Sequence, residues 1–125
     1  MRSNPRLKSW YREINTRFFE NELPDNICVK WGGQEEEDEE EDWEEKYNGY
    51  TKRLEGDLHH YAVIVINNEL RTNHTIKLAI LVHEMIHVAT DFRDDHGPAF
   101  ERYRELIGSR GIFKKGALLK GITLF

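Results

Sequence analysis

A chain of 125 residues, 38% hydrophobic and 33% charged, has room for one domain with one modest core and a large polar surface. No apolar run approaches the roughly 20 residues that cross a bilayer, and the single cysteine, Cys28, excludes an internal disulfide framework and a cysteine-built zinc ribbon. The net charge of −5 is unevenly spread: ten of the 23 acidic residues fall between Glu35 and Glu45, and the remainder carries 13 acidic against 18 basic side chains, a net of +5.

The N-terminus, Met1 to Pro5, leads into a mixed polar helix rather than an apolar secretion signal, so the expected compartment is the cytoplasm and no membrane partner is expected. Ser3 or Asn4 is suited to cap that helix, with Pro5 in its first turn. Leu7, Trp10, Tyr11, Ile14 and Phe18 recur at helical spacing as a core-facing stripe, and the helix is expected to end near Asn21, before a turn at Leu23-Pro24-Asp25-Asn26. Ile27 to Trp31 reads as a first strand, with Cys28 as a small strand hydrophobe.

Gly32-Gly33 opens the acidic run. A block of like charge repels itself, so 34–46 reads as an exposed loop inserted between two strands. Asn48-Gly49 reads either as a tight turn or as the start of a second strand through Leu54. Gly56-Asp57 reads as a hairpin turn, and Tyr61 to Asn67 as the strongest strand of the chain. His59 and His60 are adjacent at that strand's start, so they point to opposite faces; they and His74 are read as ordinary polar residues.

Thr72 or Asn73 is suited to cap a central helix, expected to end around Asp91 to Arg93. Leu78, Leu81, Val82, Met85, Ala89 and Phe92 form one helical stripe, and Ile80, Ile86 and Val88 make its other faces apolar, the mark of a buried helix. Within it stand His83, Glu84 and His87. Residues four apart lie one above the other on a helix, so His83 and His87 can offer two nitrogens to one zinc ion. Glu84 is rotated by about 100° from His83 and can sit beside the metal as general base for a water it activates. An amphipathic helix with solvated histidines is the plain alternative, and the apolar flanks argue against it. A last helix follows Pro98, with Phe100, Tyr103, Leu106 and Ile107 inward, and Gly108 and Gly111 end it. The tail from Ile112 reads equally as a short helix or a strand.

A catalytic zinc takes three protein ligands and leaves one position open. His96, Glu101 and Glu105 are the candidates for the third. His-Glu-Met-Ile-His at 83–87, followed by His96-Gly97-Pro98-Ala99-Phe100, resembles the SprT-like zinc metallopeptidases. The likeness extends to Trp10, Tyr11, Phe18 and Phe19, to Leu23-Pro24 before a strand ending in Trp31, and to the strand Val63 to Asn67. This resemblance implies that His83, His87 and His96 bind zinc and that Glu84 is the catalytic base.

It also implies a fold: an α+β, minimal zincin-like domain over 1–125, with an N-terminal helix, a small mostly antiparallel sheet, a central motif helix and a following helix. The implied activity is zinc-dependent cleavage of peptide bonds in protein or peptide substrates, among them proteins bound to DNA. The Tyr61 to Asn67 strand is then expected at the cleft, pairing with an extended substrate, and Tyr103 is a candidate oxyanion donor whose plainer role is packing. Family members commonly carry a zinc ribbon and a basic DNA-facing surface; this chain has one cysteine and an acidic stretch instead. A reading of another class is a zinc-containing binding or inhibitor module acting through that acidic stretch. The intact Glu84 speaks for an enzyme.

Overall fold

The computed structural model describes residues 1–32, 48–93 and 96–112; the acidic stretch expected as a loop at 34–46 and the tail from 113 onward lie outside the described residues. Helix α1 spans Pro5–Phe18, strands β1, β2 and β3 span Ile27–Trp31, Gly49–Arg53 and Ala62–Ile66, and helices α2 and α3 span His74–Ala89 and Pro98–Ser109. A single 3-10 turn, Asn68–Leu70, leads from β3 towards α2.

Asn4 caps α1, its side-chain oxygen accepting from the backbone N–H groups of Arg6 and Leu7, both at 3.1 Å. The Ser3 hydroxyl accepts instead from the Val29 N–H at 3.0 Å, tying the N-terminus to β1. The helix stops at Phe18 because Glu20 and Asn21 take left-handed backbone (φ 53° and 62°). Asn15 then bridges the turn, donating to the Leu23 carbonyl at 3.0 Å and accepting from the Leu23 N–H at 3.1 Å.

The sheet is mixed rather than mostly antiparallel. Its order is β1-β3-β2, with β1 parallel and β2 antiparallel to β3. The run Ala62-Val63-Ile64-Val65-Ile66 is apolar on both faces, and every residue of it is buried, as a strand between two others must be. Both edges of β3 are therefore occupied, and the expected pairing of this strand with a substrate is corrected: among the described residues the edge strands are β1 and β2.

One face of the sheet (Ile27, Val29, Trp31, Ala62, Ile64, Ile66) packs with Leu7, Tyr11 and Ile14 of α1, Leu81, Val82 and Met85 of α2 and Phe100 and Ile107 of α3 into the main core. Cys28, Val63 and Val65 make a smaller cluster on the other face, joined by Tyr50 and Leu54. Gly49 proves to belong to β2. A Cβ there would stand 2.8 Å from Ile80 Cγ2 and 2.9 Å from the Val65 carbonyl, so only glycine admits α2 at this separation. No described helix is long and apolar enough to cross a membrane.

Candidate metal centre

Asn73 starts α2, its side chain accepting from the Ile76 N–H at 3.1 Å, and the helix then carries His83 and His87 to one side, one turn apart. Their ring centroids are 5.1 Å apart. The helix ends at Ala89, two residues before the expected stop. Thr90 closes it, its hydroxyl donating to the Ile86 carbonyl at 3.1 Å, and Asp91 and Phe92 then adopt left-handed backbone (φ 55° and 60°). The Tyr61 hydroxyl donates to Asp91, and the Tyr61 ring packs on Phe92 at 6.4 Å, pinning this turn to the start of β3. That hydrogen bond holds the Tyr61 hydroxyl above its ordinary pKa, so it stays a donor.

Beyond the turn the chain comes back over α2 and brings His96 to the pair. One nitrogen from each of His83, His87 and His96 lies within 4.8 Å of the others, close enough for the three to hold a metal ion. His83 Nε2 and His96 Nε2 are 2.9 Å apart. Tetrahedral ligands at about 2.0–2.1 Å from zinc stand roughly 3.3 Å from one another, so this pair would have to open by a few tenths of an ångström around such an ion. Phe100, fully buried in the first turn of α3, forms the floor: its ring centroid lies 4.9, 4.9 and 5.1 Å from those of His83, His87 and His96. His83 and His87 are half-buried rather than wholly so, and His96 is exposed, which leaves the open side of the cluster towards solvent.

Glu84 is buried at 6% exposure. Its Oε1 accepts a hydrogen bond from the Thr51 hydroxyl at 2.7 Å. The register explains how. Thr51 pairs with Ile64 and Gly49 with Ile66, so both face the main core, where α2 lies. Ile80 and Glu84 are one helical turn apart, a rise of about 6 Å, which matches two strand residues at about 6.8 Å. Ile80 thus seats over Gly49 and Glu84 over Thr51.

The remaining candidates lie outside the histidine group. Glu101 accepts from Arg104 Nη2 at 2.6 Å, and Glu105 is exposed on the same helix and outside the histidine group. The Tyr103 hydroxyl donates to Glu22 at 2.7 Å and its ring stacks on Phe19 at 5.7 Å; burial, then that hydrogen bond, push its pKa up to about 12. It is tied to the turn that follows α1 rather than offered to a substrate. The backbone N–H groups of His59 and His60 donate to Asp57 at 2.8 and 3.0 Å, and His74 packs edge-on against Trp10 at 5.3 Å.

Thr51, Gly49 and the Phe100 floor escape a reading of the sequence as site residues. Thr51 lies 33 residues before Glu84, and only strand register and helix docking join them. Phe100 was legible as a core residue, since its spacing from Tyr103 and Ile107 marks an inner face, but nothing local says which rings it meets. Fold and site together define a small α+β domain that has, among the described residues, three helices, a mixed three-stranded sheet and a three-histidine cluster able to hold a metal ion. No family model, curated protein or solved structure matches the chain.

Proposed function

We propose that this chain is a zinc-dependent endopeptidase of the SprT-like, minimal zincin kind. The observation that carries the reading is the convergence of three imidazole nitrogens, two of them on the helix that also bears Glu84, a buried carboxylate held by the Thr51 hydroxyl. His83, His87 and His96 would hold the zinc ion, a nitrogen donor set that zinc favours, with the solvent side left for water and substrate. When bound, the ion supplies Lewis-acid polarisation of a scissile carbonyl and lowers the pKa of water.

Glu84 performs the proton transfers. With Oε1 held by the Thr51 hydroxyl, the carboxylate keeps one orientation; it takes a proton from the attacking water and delivers it to the leaving amine. Phe100 backs the three imidazoles with an apolar surface, limiting their rotation and excluding water from beneath them. The edge strand β2, which carries Thr51, is better placed than β3 to pair with an extended peptide. Substrates are proteins or peptides, with DNA-bound proteins the class suggested by the motif resemblance.

The test is cleavage of a flexible protein by the zinc-loaded chain, with and without single-stranded DNA. Wild type should cleave and Glu84→Gln should not, at equal zinc content. Equal cleavage by both proteins, or none by wild type under either condition, would refute the reading.

A further inference from the structure

A second site lies away from the histidine cluster, where the first turns of α1 and α2 meet the end of β1. A cavity of about 260 Å³ is lined there by Asn4, Arg6, Trp10, Trp31, Arg71 and Lys77, with Leu7 at its base. Three of these residues are cationic and none is acidic. Lys77 is nine-tenths buried, at 9% exposure. Its ammonium makes one long hydrogen bond, 3.4 Å to the Arg71 carbonyl, and stands 5.9 Å from the centroid of the Trp31 ring. The Arg71 guanidinium lies against the same ring at 5.1 Å. Two like charges are thus gathered on one indole, a third borders the cavity, and no carboxylate pairs with any of them among the described residues.

A buried ammonium with two donors left over is a poor arrangement unless an anion completes it. The backbone adds to the field, because α1 and α2 both begin beside the cavity and helix N-termini favour negative charge. The volume is below that of a drug-sized ligand site, so it suits one compact anionic group and a few atoms of whatever bears it. Two guanidinium forks and an ammonium around a small space match a phosphate dianion better than a carboxylate, which has fewer acceptor oxygens and a single charge. Trp10, half-buried at the same cavity, offers a face for a planar ring attached to that phosphate.

We propose that this cavity is a phosphate-binding site that accepts the phosphate of a nucleotide unit, free or at the end of a strand. It is independent of the metal centre.

Calorimetric titration of the zinc-loaded full chain tests it with four probes: inorganic phosphate, AMP, acetate, and a short single strand with or without a 5′-phosphate. Phosphate and AMP should bind and acetate should not. Lys77→Gln and Arg71→Gln should each weaken binding by about tenfold or more, the loss expected for one charge-assisted hydrogen bond. Arg71 is exposed, so its replacement leaves the core intact even if Lys77→Gln unfolds the chain. Trp10→Ala should remove any advantage of AMP over phosphate. A strand that binds only when 5′-phosphorylated identifies a strand end as the source, and AMP binding alone identifies a free nucleotide; both support the site. Binding that survives unchanged in Arg71→Gln and Lys77→Gln belongs to the metal ion and overturns the proposal. Acetate binding as tight as phosphate, or no binding by any probe, overturns it equally.

Discussion

The Thr51 hydroxyl donates to Glu84 Oε1 at 2.7 Å, joining the edge strand of the sheet to the buried carboxylate of the central helix. Thr51→Val keeps the shape of the side chain and removes the donor. A hydrogen bond to a charged group contributes about 1.5–3 kcal/mol, so hydrolysis should fall about 10- to 100-fold at unchanged zinc content. Thr51→Ser should restore most of it. A kcat in Thr51→Val equal to that of wild type would show that the carboxylate is oriented by something else.

Gly49 sets how closely α2 approaches β2, with Ile80 Cγ2 and the Val65 carbonyl both under 3 Å from any added Cβ. Gly49→Ala must push the helix outward or bend the strand, an overpacking cost of about 1–3 kcal/mol in denaturant unfolding. Ile80→Ala in the same chain should recover only part of that loss, because the backbone contact with Val65 remains.

Phe100 is fully buried beneath the three imidazoles. Phe100→Ala should cost about 3–5 kcal/mol of stability and weaken zinc affinity in a chelator competition, since the rings lose their floor. Phe100→Leu should retain more of both. Unchanged zinc affinity in a folded Phe100→Ala protein would mean that the floor is packing alone.

His96 stands with His83 and His87, while Glu101 is occupied by Arg104. Zinc affinity should therefore drop steeply in His96→Ala and little in Glu101→Ala. The opposite order, measured by competition with a chromogenic chelator, would transfer the third ligand to α3.

Asp25 accepts from Arg12 Nε at 2.9 Å and Nη2 at 3.1 Å. That hydrogen bonding, with smaller help from the charges of Lys8 and Arg12, holds its carboxyl below the ordinary aspartate value. A lowered folded-state pKa adds stability that is complete above the unfolded-state value, about 3.9, and is lost as pH falls through the lower folded value. The stability difference between wild type and Asp25→Asn should be constant at neutral pH and shrink below about pH 4. A difference that persisted unchanged into strong acid would point away from the Arg12 pair.

The sequence by itself determined the features that depend on local geometry. Helical periodicity alone places His83 and His87 one turn apart, turns Glu84 aside from them, and buries the helix that bears them; Ser3 or Asn4 with Pro5, and Thr72 or Asn73, mark helix starts because capping involves only the next three residues, and the structure chooses Asn4 and Asn73. What required the tertiary structure is everything that joins distant parts of the chain. Of the three candidates for the third ligand, the structure groups His96 with His83 and His87, next to a left-handed turn at Asp91 and Phe92 that Tyr61 pins to the start of β3. The strand between its two neighbours, the hydroxyl that holds Glu84, and the meeting of Lys77 and Arg71 on Trp31 depend likewise on pairing and docking. Periodicity says which face of an element is buried; which partner buries it is decided only when the elements pack.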